Sequence, residues 1–387
     1  MIRALHRLIA APETARQLAF LATGAPASAP VSLHLKLPRQ HTDWLHLIPA
    51  DQPWWYRARP AQGEYRLAIG HALHLASTGD NRFAALDGAF AGFCREWRRN
   101  GPALAFSGFA FAPDNAAPLP NALLAIPAIL LECHAGRCTL TLSTPAGRLP
   151  QALAAWPAML KARTPAASPT PLPLRPEPLA EQAWMARVVA ALRDIGKGAI
   201  DKVVLTRCRQ VEGSAPFSAG DILARLNVQQ PDSVVYAHGN ATHAFLGATP
   251  ERLVAKLGHQ VHVDALAGTA WPGSLALSDD KNRYEQSLVV RAVVEALTPL
   301  CEQTPQVGAV EEHAAGQLSH WRSRIVGQAL SGSSLFDLVR VLHPTPAVGG
   351  FPSAAPTPGS PLMANSATPG TAAASASSPR KVTASSR

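Results

Sequence analysis

Apolar and polar residues follow several different periods along the chain, and each period predicts a type of element. In the first half, residues 32–37 and 65–69 alternate apolar and polar positions, as strands do. Apolar runs at 122–130 and 138–143 flank the turn Ala135-Gly136-Arg137, which predicts a hairpin. Two more hairpins are expected to turn at residues 239–240 and 258–259.

Four other stretches repeat their apolar residues every three to four positions, which predicts helices. They are residues 83–97, 185–195, about 278–297 and 318–330. The second helix is expected to end at Gly196, and the hydroxyl of Ser278 can cap the third. A strand is predicted at residues 202–207. Strands paired by hairpins, with helices interspersed rather than strictly alternating, favour an α+β fold.

Composition and charge narrow the class of protein. The chain has 387 residues, of which 47% are hydrophobic and 16% charged, so it can bury a large core. The formal net charge is +9, and Arg380, Lys381 and Arg387 alone contribute +3 of it. The other basic residues are scattered and no nucleic-acid motif accompanies them, so we expect no nucleic-acid partner. A small anionic substrate and an ordinary basic surface fit this charge equally well.

The cysteines and the apolar runs bear on the compartment. The chain has five cysteines, an odd number without a Cys-x-x-Cys pair: Cys94, Cys133, Cys138, Cys208 and Cys301. This pattern favours reduced thiols over a disulfide framework or a zinc site. Charged residues interrupt the apolar stretch near the N-terminus, and no apolar run reaches the length of a membrane span. We therefore expect a cytoplasmic protein without a membrane partner.

Proline marks a boundary in the middle of the chain. Six prolines lie between residues 165 and 178 and predict an extended loop. This loop divides the chain into residues 1–178 and 179–352, followed by a segment of different composition at 353–387. It is equally consistent with a linker between two domains and with a surface excursion of one domain.

Four segments of the second half stand in an order that carries functional information. They are residues 201–207 (DKVVLTR), 247–253 (GATPERL), 265–269 (ALAGT) and 343–347 (HPTPA). Together they resemble the chorismate-utilising enzymes, and within them isochorismate synthase, over roughly residues 83–352. The resemblance implies a single-domain α+β fold with large antiparallel sheets and surrounding helices, in which 179–352 is the catalytic region. It also implies chorismate as substrate and Mg²⁺ as cofactor. We expect a monomer, but the sequence does not reveal the oligomeric state.

The resemblance assigns an acid and a base. Lys202 matches the general base that activates water, although a lysine at a strand start is more often a solvated surface charge. Glu251 matches the general acid that protonates the departing C4 hydroxyl of chorismate. The alternative for Glu251 is a structural acid in the first turn of a helix with Pro250 at its first position. A carboxyl that is protonated near neutrality needs a raised pKa.

Glu285 matches the glutamate that binds Mg²⁺ in this family. Glu285, Val289 and Val293 share one face of the predicted helix, so the carboxylate is expected to project with the apolar stripe. A buried carboxylate needs a partner, and hard oxygen ligands suit Mg²⁺. Gln286 stands where the resemblance often has a histidine, which is a departure from the family pattern.

Four further residues match substrate-binding positions. Gly268 permits close backbone approach, and the hydroxyl of Thr269 can bind a carboxylate, although an ordinary strand-ending turn has the same sequence. Pro344 and Pro346 fix the backbone, so Ala347 is expected to present main-chain groups to the ligand. His343 is either a substrate contact or a satisfied core histidine, and His320 is less expected to touch substrate.

The composition changes abruptly after Pro352. Residues 353–387 contain no Asp or Glu and only one Leu, one Met and one Val, so they cannot build a core. The resemblance implies a Trp-Tyr-Gly-Gly-type loop and further Mg²⁺ ligands here, and none is present. When the frame moves back one base, the codons of residues 370–377 permit Trp-Tyr-Gly-Gly-Gly-Ile-Gly-Phe. We expect a frameshift between about residues 352 and 365, and a natural disordered tail is the alternative.

The function that follows from the resemblance is the Mg²⁺-dependent conversion of chorismate to isochorismate, by addition of water at C2 and loss of the C4 hydroxyl. One alternative is a salicylate synthase, which also eliminates pyruvate. The other is an inactive, truncated remnant, and we expect inactivity for the chain as it stands. The resemblance does not distinguish siderophore from menaquinone synthesis.

Overall fold

A computed structural model describes residues 2–37, 43–114, 117–161, 169–174, 178–271, 280–316 and 318–352. The helices in these ranges are α1 (Ile2–Ile9), α2 (Pro12–Ala22), α3 (Arg82–Glu96), α4 (Leu149–Met159), α5 (Pro178–Gly196), α6 (Ala219–Gln229), α7 (Asp280–Leu297) and α8 (Leu335–Leu342). The strands are β1 (Pro30–Lys36), β2 (Trp54–Arg59), β3 (Glu64–Ser77), β4 (Arg98–Arg99), β5 (Phe106–Phe109), β6 (Ala122–His134), β7 (Arg137–Pro145), β8 (Lys202–Val203), β9 (Val234–Gly239), β10 (Ala244–Thr249), β11 (Ala255–Leu257), β12 (Gln260–Ala270), β13 (Gln306–Ala315), β14 (Leu318–Gln328) and β15 (Gly350–Phe351). The frameshift expected near residues 352–365 concerns a segment, 353–387, that lies outside the described residues, as does Ser278.

Nine strands form one large sheet, in the order β10-β9-β2-β3-β6-β7-β1-β4 with β5 paired to β6. Its pairs are antiparallel except for β1 with β4. One face packs against α1, α2 and α4 around the fully buried Leu18, Trp44 and Trp156. Since β9 and β10 follow the proline-rich stretch, residues on both sides of position 178 share this sheet.

A smaller sheet carries the second core. Its strands run in the order β11-β12-β14-β13 and are all antiparallel. The apolar faces of α7 and α8 pack on it around Val263, Val289, Ile325 and Leu338. A separate two-stranded ladder pairs β8 with β15. The predicted α+β class with large antiparallel sheets is therefore confirmed, as are the three predicted hairpins.

Two predicted elements differ from the structure. The helix predicted at residues 318–330 is wrong, because these residues form β14, a central strand of the smaller sheet. Ser319, Ser323 and Ile325 are buried and lie on one face of the strand, because their positions differ by even numbers. A short apolar run can fit this period of two and the helical period as well. The strand predicted at 202–207 is shorter, since only Lys202 and Val203 are paired in β8.

The expectation that all cysteines are reduced is also wrong. Cys133 and Cys138 face each other across the β6–β7 hairpin and form a disulfide bond. Adjacent strands bring opposite residues within bonding distance, which the chain spacing alone does not reveal. Cys94, Cys208 and Cys301 are not part of a disulfide bond.

The predicted helix at 185–195 is confirmed as part of α5, but its apolar stripe faces solvent. Met185, Val189 and Leu192 are exposed, and Ala191 is the one buried residue of this helix. Across the described part of the chain, no helix combines the length and the apolarity that a membrane crossing requires.

Candidate active site

Lys202 is held at the junction of three elements. It lies on β8, whose neighbours are tied to the other strand of the ladder: the Asp201 amide donates to the carbonyl of Phe351 at 2.8 Å, and the Val204 amide to that of Gly349 at 2.8 Å. Its Nζ atom lies 2.7 Å from Oε1 of Glu285 on α7. Nζ is buried and has no hydrogen bond of good geometry to any described residue, so the contact with Glu285 is an ion pair rather than an aligned hydrogen bond.

Glu251 lies in the loop that follows β10. It does not begin a helix, so the first-turn explanation for this acid is excluded by the structure. Its amide donates to the hydroxyl of Thr249 at 3.1 Å, which fixes the turn. Burial raises the pKa of the Glu251 carboxyl to about 7, although the nearby charge of Lys202 acts in the opposite direction. The carboxyl is therefore close to half protonated near neutrality, within the electrostatic field of Lys202.

Glu285 sits at the edge of the apolar face of α7. Its side chain is 28% exposed, whereas that of Lys202 is 12% exposed. The next residue, Gln286, is the buried polar residue of this helix. The shared helical face predicted that the Glu285 carboxylate is buried with the apolar residues. In the structure Glu285 is partly exposed, and the buried position is the next one along the helix, Gln286.

The described residues do not by themselves fit a magnesium site. Within the described ranges, no group of three or more His, Cys, Asp and Glu side chains could hold a metal ion. The one carboxylate that the resemblance assigns to Mg²⁺, Glu285, is paired with Lys202. Mg²⁺ stays a prediction, and we derive no step of a reaction through a metal ion.

Gly268 and Thr269 lie at a β-bulge in β12. The register with β14 shifts between Ala267 and Thr269, and Gly268 has a φ of +72°, which favours glycine. His320 lies opposite on β14, with Nδ1 3.1 Å from the carbonyl oxygen of Gly268 and 3.1 Å from Oγ1 of Thr269. A carbonyl oxygen can only accept, so the imidazole of His320 donates from Nδ1 to Gly268 and stabilises the β-bulge. Thr269 itself is exposed.

The contacts of His343 and Ala347 are with residues other than Lys202 and Glu251. The Nε2 atom of His343 is 3.0 Å from the carbonyl oxygen of Phe111, and its ring packs edge-on against Phe109 and Phe111. Burial lowers the pKa of His343. These are the contacts of a satisfied core histidine. Ala347 is in a turn between α8 and β15 and packs against the core of the smaller sheet. The substrate contacts predicted for both stay predictions.

His320 and Gln286 make contacts near the site that the sequence does not predict. The helix predicted at residues 318–330 does not bring His320 to Thr269, whereas the observed strand β14 places the two residues opposite each other. The alternation of buried and open positions along residues 318–328 is the signal that reveals it. Gln286 was noted only as a departure from a pattern, and its contacts become visible only when α7 is packed on β12 and β14.

Comparison with known proteins identifies what this arrangement is similar to. Residues 20–357 match the sequence profile of a family described as chorismate binding enzyme. Isochorismate synthase MenF of Bacillus subtilis is 31% identical over 186 residues, which are 46% of this chain and 40% of that protein. The salicylate biosynthesis isochorismate synthase of Pseudomonas aeruginosa is 32% identical over 182 residues, 44% of this chain and 38% of that protein. The chain thus spans about two fifths of the length of these curated relatives.

Solved structures show the same fold. The menaquinone-specific isochorismate synthase MenF of Escherichia coli matches with a TM-score of 0.72 at 22% identity, over 88% of this chain and 81% of that one. Anthranilate synthase component I of Streptococcus pneumoniae matches with a TM-score of 0.61 at 16% identity, over 75% and 74% of the two chains. At these identities the likeness concerns the fold alone.

Proposed function

We propose, from the premise that this chain belongs to the chorismate-binding enzyme family, that its site performs the isochorismate synthase reaction on chorismate. The observation that carries the proposal is that the buried carboxyl of Glu251, whose pKa is raised to about 7, lies within the electrostatic field of Lys202. A weak acid and an amine that act on each other at one site are the two groups that this reaction needs. The curated relatives named above, which carry this name, support the choice of reaction.

The chemistry is an exchange of hydroxyl groups across the ring. Water adds at C2 of chorismate, the ring double bonds shift, and the C4 hydroxyl leaves. Hydroxide is a poor leaving group, so Glu251 in its protonated form donates a proton to the departing oxygen, which leaves as water. Lys202 in its neutral form accepts the proton that the attacking water loses. Proton return from the lysine to the carboxylate closes the cycle without any net oxidation.

The ion pair with Glu285 bears on the role of Lys202. An ammonium has no lone pair with which to accept a proton, and Nζ lies 2.7 Å from a carboxylate oxygen. Lys202 must therefore leave this contact, or lose a proton within it, before it acts as a base. In the proposal, Glu285 keeps the lysine at the site between turnovers. Mg²⁺, which the resemblance assigns to Glu285, would supply electrostatic binding of a substrate carboxylate.

Incubation of the purified chain with chorismate and Mg²⁺, followed by chromatographic analysis of products, tests the proposal. Contrary to the inactivity expected from the sequence, the proposal predicts isochorismate without pyruvate, and a loss of at least about 100-fold in kcat for both Lys202→Met and Glu251→Gln. Glu295→Gln is the matched control, because it makes the same chemical change on an exposed part of α7.

Three results contradict the proposal in different ways. Pyruvate formed together with salicylate indicates a salicylate synthase instead. Turnover that survives either substitution removes that residue from the mechanism. A folded chain that leaves chorismate unchanged indicates an inactive family member.

A further inference from the structure

We infer that Gln286 is a positioning residue: its buried amide fastens α7 to β12 and β14, and thereby sets the Glu285–Lys202 contact. The part of this inference that concerns turnover rests on the proposed function. The structural part stands on the hydrogen bonds of Gln286 alone.

The contacts of Gln286 join the elements that carry the site. Its Nε2 atom donates to the carbonyl oxygen of Ala265 on β12 at 3.0 Å and to Oγ of Ser323 on β14 at 3.2 Å. The orientation of the amide is determined, because a carbonyl oxygen can only accept and therefore faces the NH₂ group. Ala265 and Ser323 are opposite each other in the strand register, so one side chain clamps both strands.

The surroundings of this amide are apolar. Gln286 is 3% exposed, and its helix packs on the smaller sheet through Val289, Val293 and Leu297. Its Oε1 atom is buried without a hydrogen-bond partner among the described residues. A buried oxygen without a partner costs free energy that leucine or methionine at the same position would avoid. The side chain is therefore better explained by the geometry that its two donated bonds impose than by stability.

That geometry reaches the site in both directions. Glu285 is the preceding residue on α7, and it meets Lys202 at 2.7 Å. On β12, Ala265 lies three residues before Gly268, whose carbonyl is held by His320. Without the clamp, the packing of α7 on the sheet through Val289, Val293 and Leu297 is apolar and non-directional, so it does not fix the rotation of the helix there. The ion pair of Arg291 with Asp201 at 3.9 Å still connects α7 to the residue before β8.

The test uses the accessibility of the Lys202 amine, which does not depend on turnover. Purified variants are treated with an amine-acylating ester for a short time, and modification of Lys202 is followed by peptide mass spectrometry. Gln286→Leu removes both donated hydrogen bonds, and we expect it to raise the modification rate about 25-fold, about fivefold for each bond lost. Glu285→Gln, which removes the ionic partner directly, is expected to raise it at least as much.

Val293→Ala is the matched control. It shortens a side chain that is 1% exposed on the same helix, and so destabilises α7 without touching the amide. We expect a lower Tm for this variant but an unchanged rate at Lys202. Ser323→Ala, which removes one of the two acceptors, is expected to give a smaller rise of the same sign.

The outcomes decide between positioning and mere packing. The inference is overturned if Gln286→Leu and Ser323→Ala leave the rate unchanged while Glu285→Gln raises it. It is also overturned if Val293→Ala raises the rate as much as Gln286→Leu. If isochorismate is formed, Gln286→Leu is expected to lower kcat more than it changes KM. If none is formed by the unsubstituted chain, the proposed function fails while the labelling result still decides the role of Gln286.

Discussion

The substitution Glu251→Gln tests the electrostatics of the site through stability, independently of any reaction. Burial raises the pKa of this carboxyl from 4.5 to about 7 in the folded protein. Between these pH values the folded state binds a proton that the unfolded state has already lost. The free energy of unfolding therefore falls as the pH rises through this window. At about 1.4 kcal/mol per pH unit, the difference corresponds to about 3 kcal/mol.

Glutamine has a similar shape and no proton to lose, so Glu251→Gln lacks this contribution. We expect the variant to gain about 3 kcal/mol in free energy of unfolding relative to the parent chain between about pH 4.5 and pH 8. Urea unfolding followed by tryptophan fluorescence at several pH values measures this difference directly. Glu295→Gln, an exposed change on α7, is expected to keep the pH dependence of the parent.

A second variant tests the cause of the shift. The charge of Lys202 lowers the pKa of Glu251 and so partly offsets burial. Lys202→Met removes that charge, and the window in which stability falls is expected to extend to higher pH. Parallel stability curves for the parent and Glu251→Gln would refute the reasoning, because they would show that the carboxyl ionises alike in both states.

Three further changes probe the fold around the site. Gly268→Ala is expected to cost about 1–3 kcal/mol, because φ is +72° and the new Cβ would lie 3.2 Å from Asn282 Cβ; an unfolding free energy equal to that of the parent would contradict it. Thiol titration of the unfolded, unreduced chain is expected to find three thiols, because two of the five cysteines are in the disulfide bond, and finding five would show that Cys133 and Cys138 are not bonded. Ser334→Ala removes the capping box of α8 and is expected to lower the free energy of unfolding by about 1 kcal/mol in urea melts, and an unchanged midpoint would argue against the cap.

Local patterns predicted most of the elements near the site. The period-two stretches became strands, the hairpin turns are where glycine and asparagine marked them, and α3, α5 and α7 were anticipated. These features depend on neighbours a few residues apart, which a sequence displays directly. The helix predicted at residues 318–330 was wrong because β14 is a central strand that is buried on one face and partly exposed on the other. Its short apolar repeats therefore fit both the strand period and the helix period.

The amino-acid sequence therefore identifies the candidate reactive groups: Lys202, Glu251 and Glu285 are proposed from the motifs in which they stand. It does not contain their energetic state. Three features depend on residues that are far apart in the chain. They are the 2.7 Å contact between Lys202 and Glu285, the raised pKa of Glu251 and the hydrogen bonds of Gln286. Distance, burial and hydrogen-bond geometry between such residues arise only when β8, α7 and β12 pack together, because they depend on the dielectric and the neighbours that packing creates.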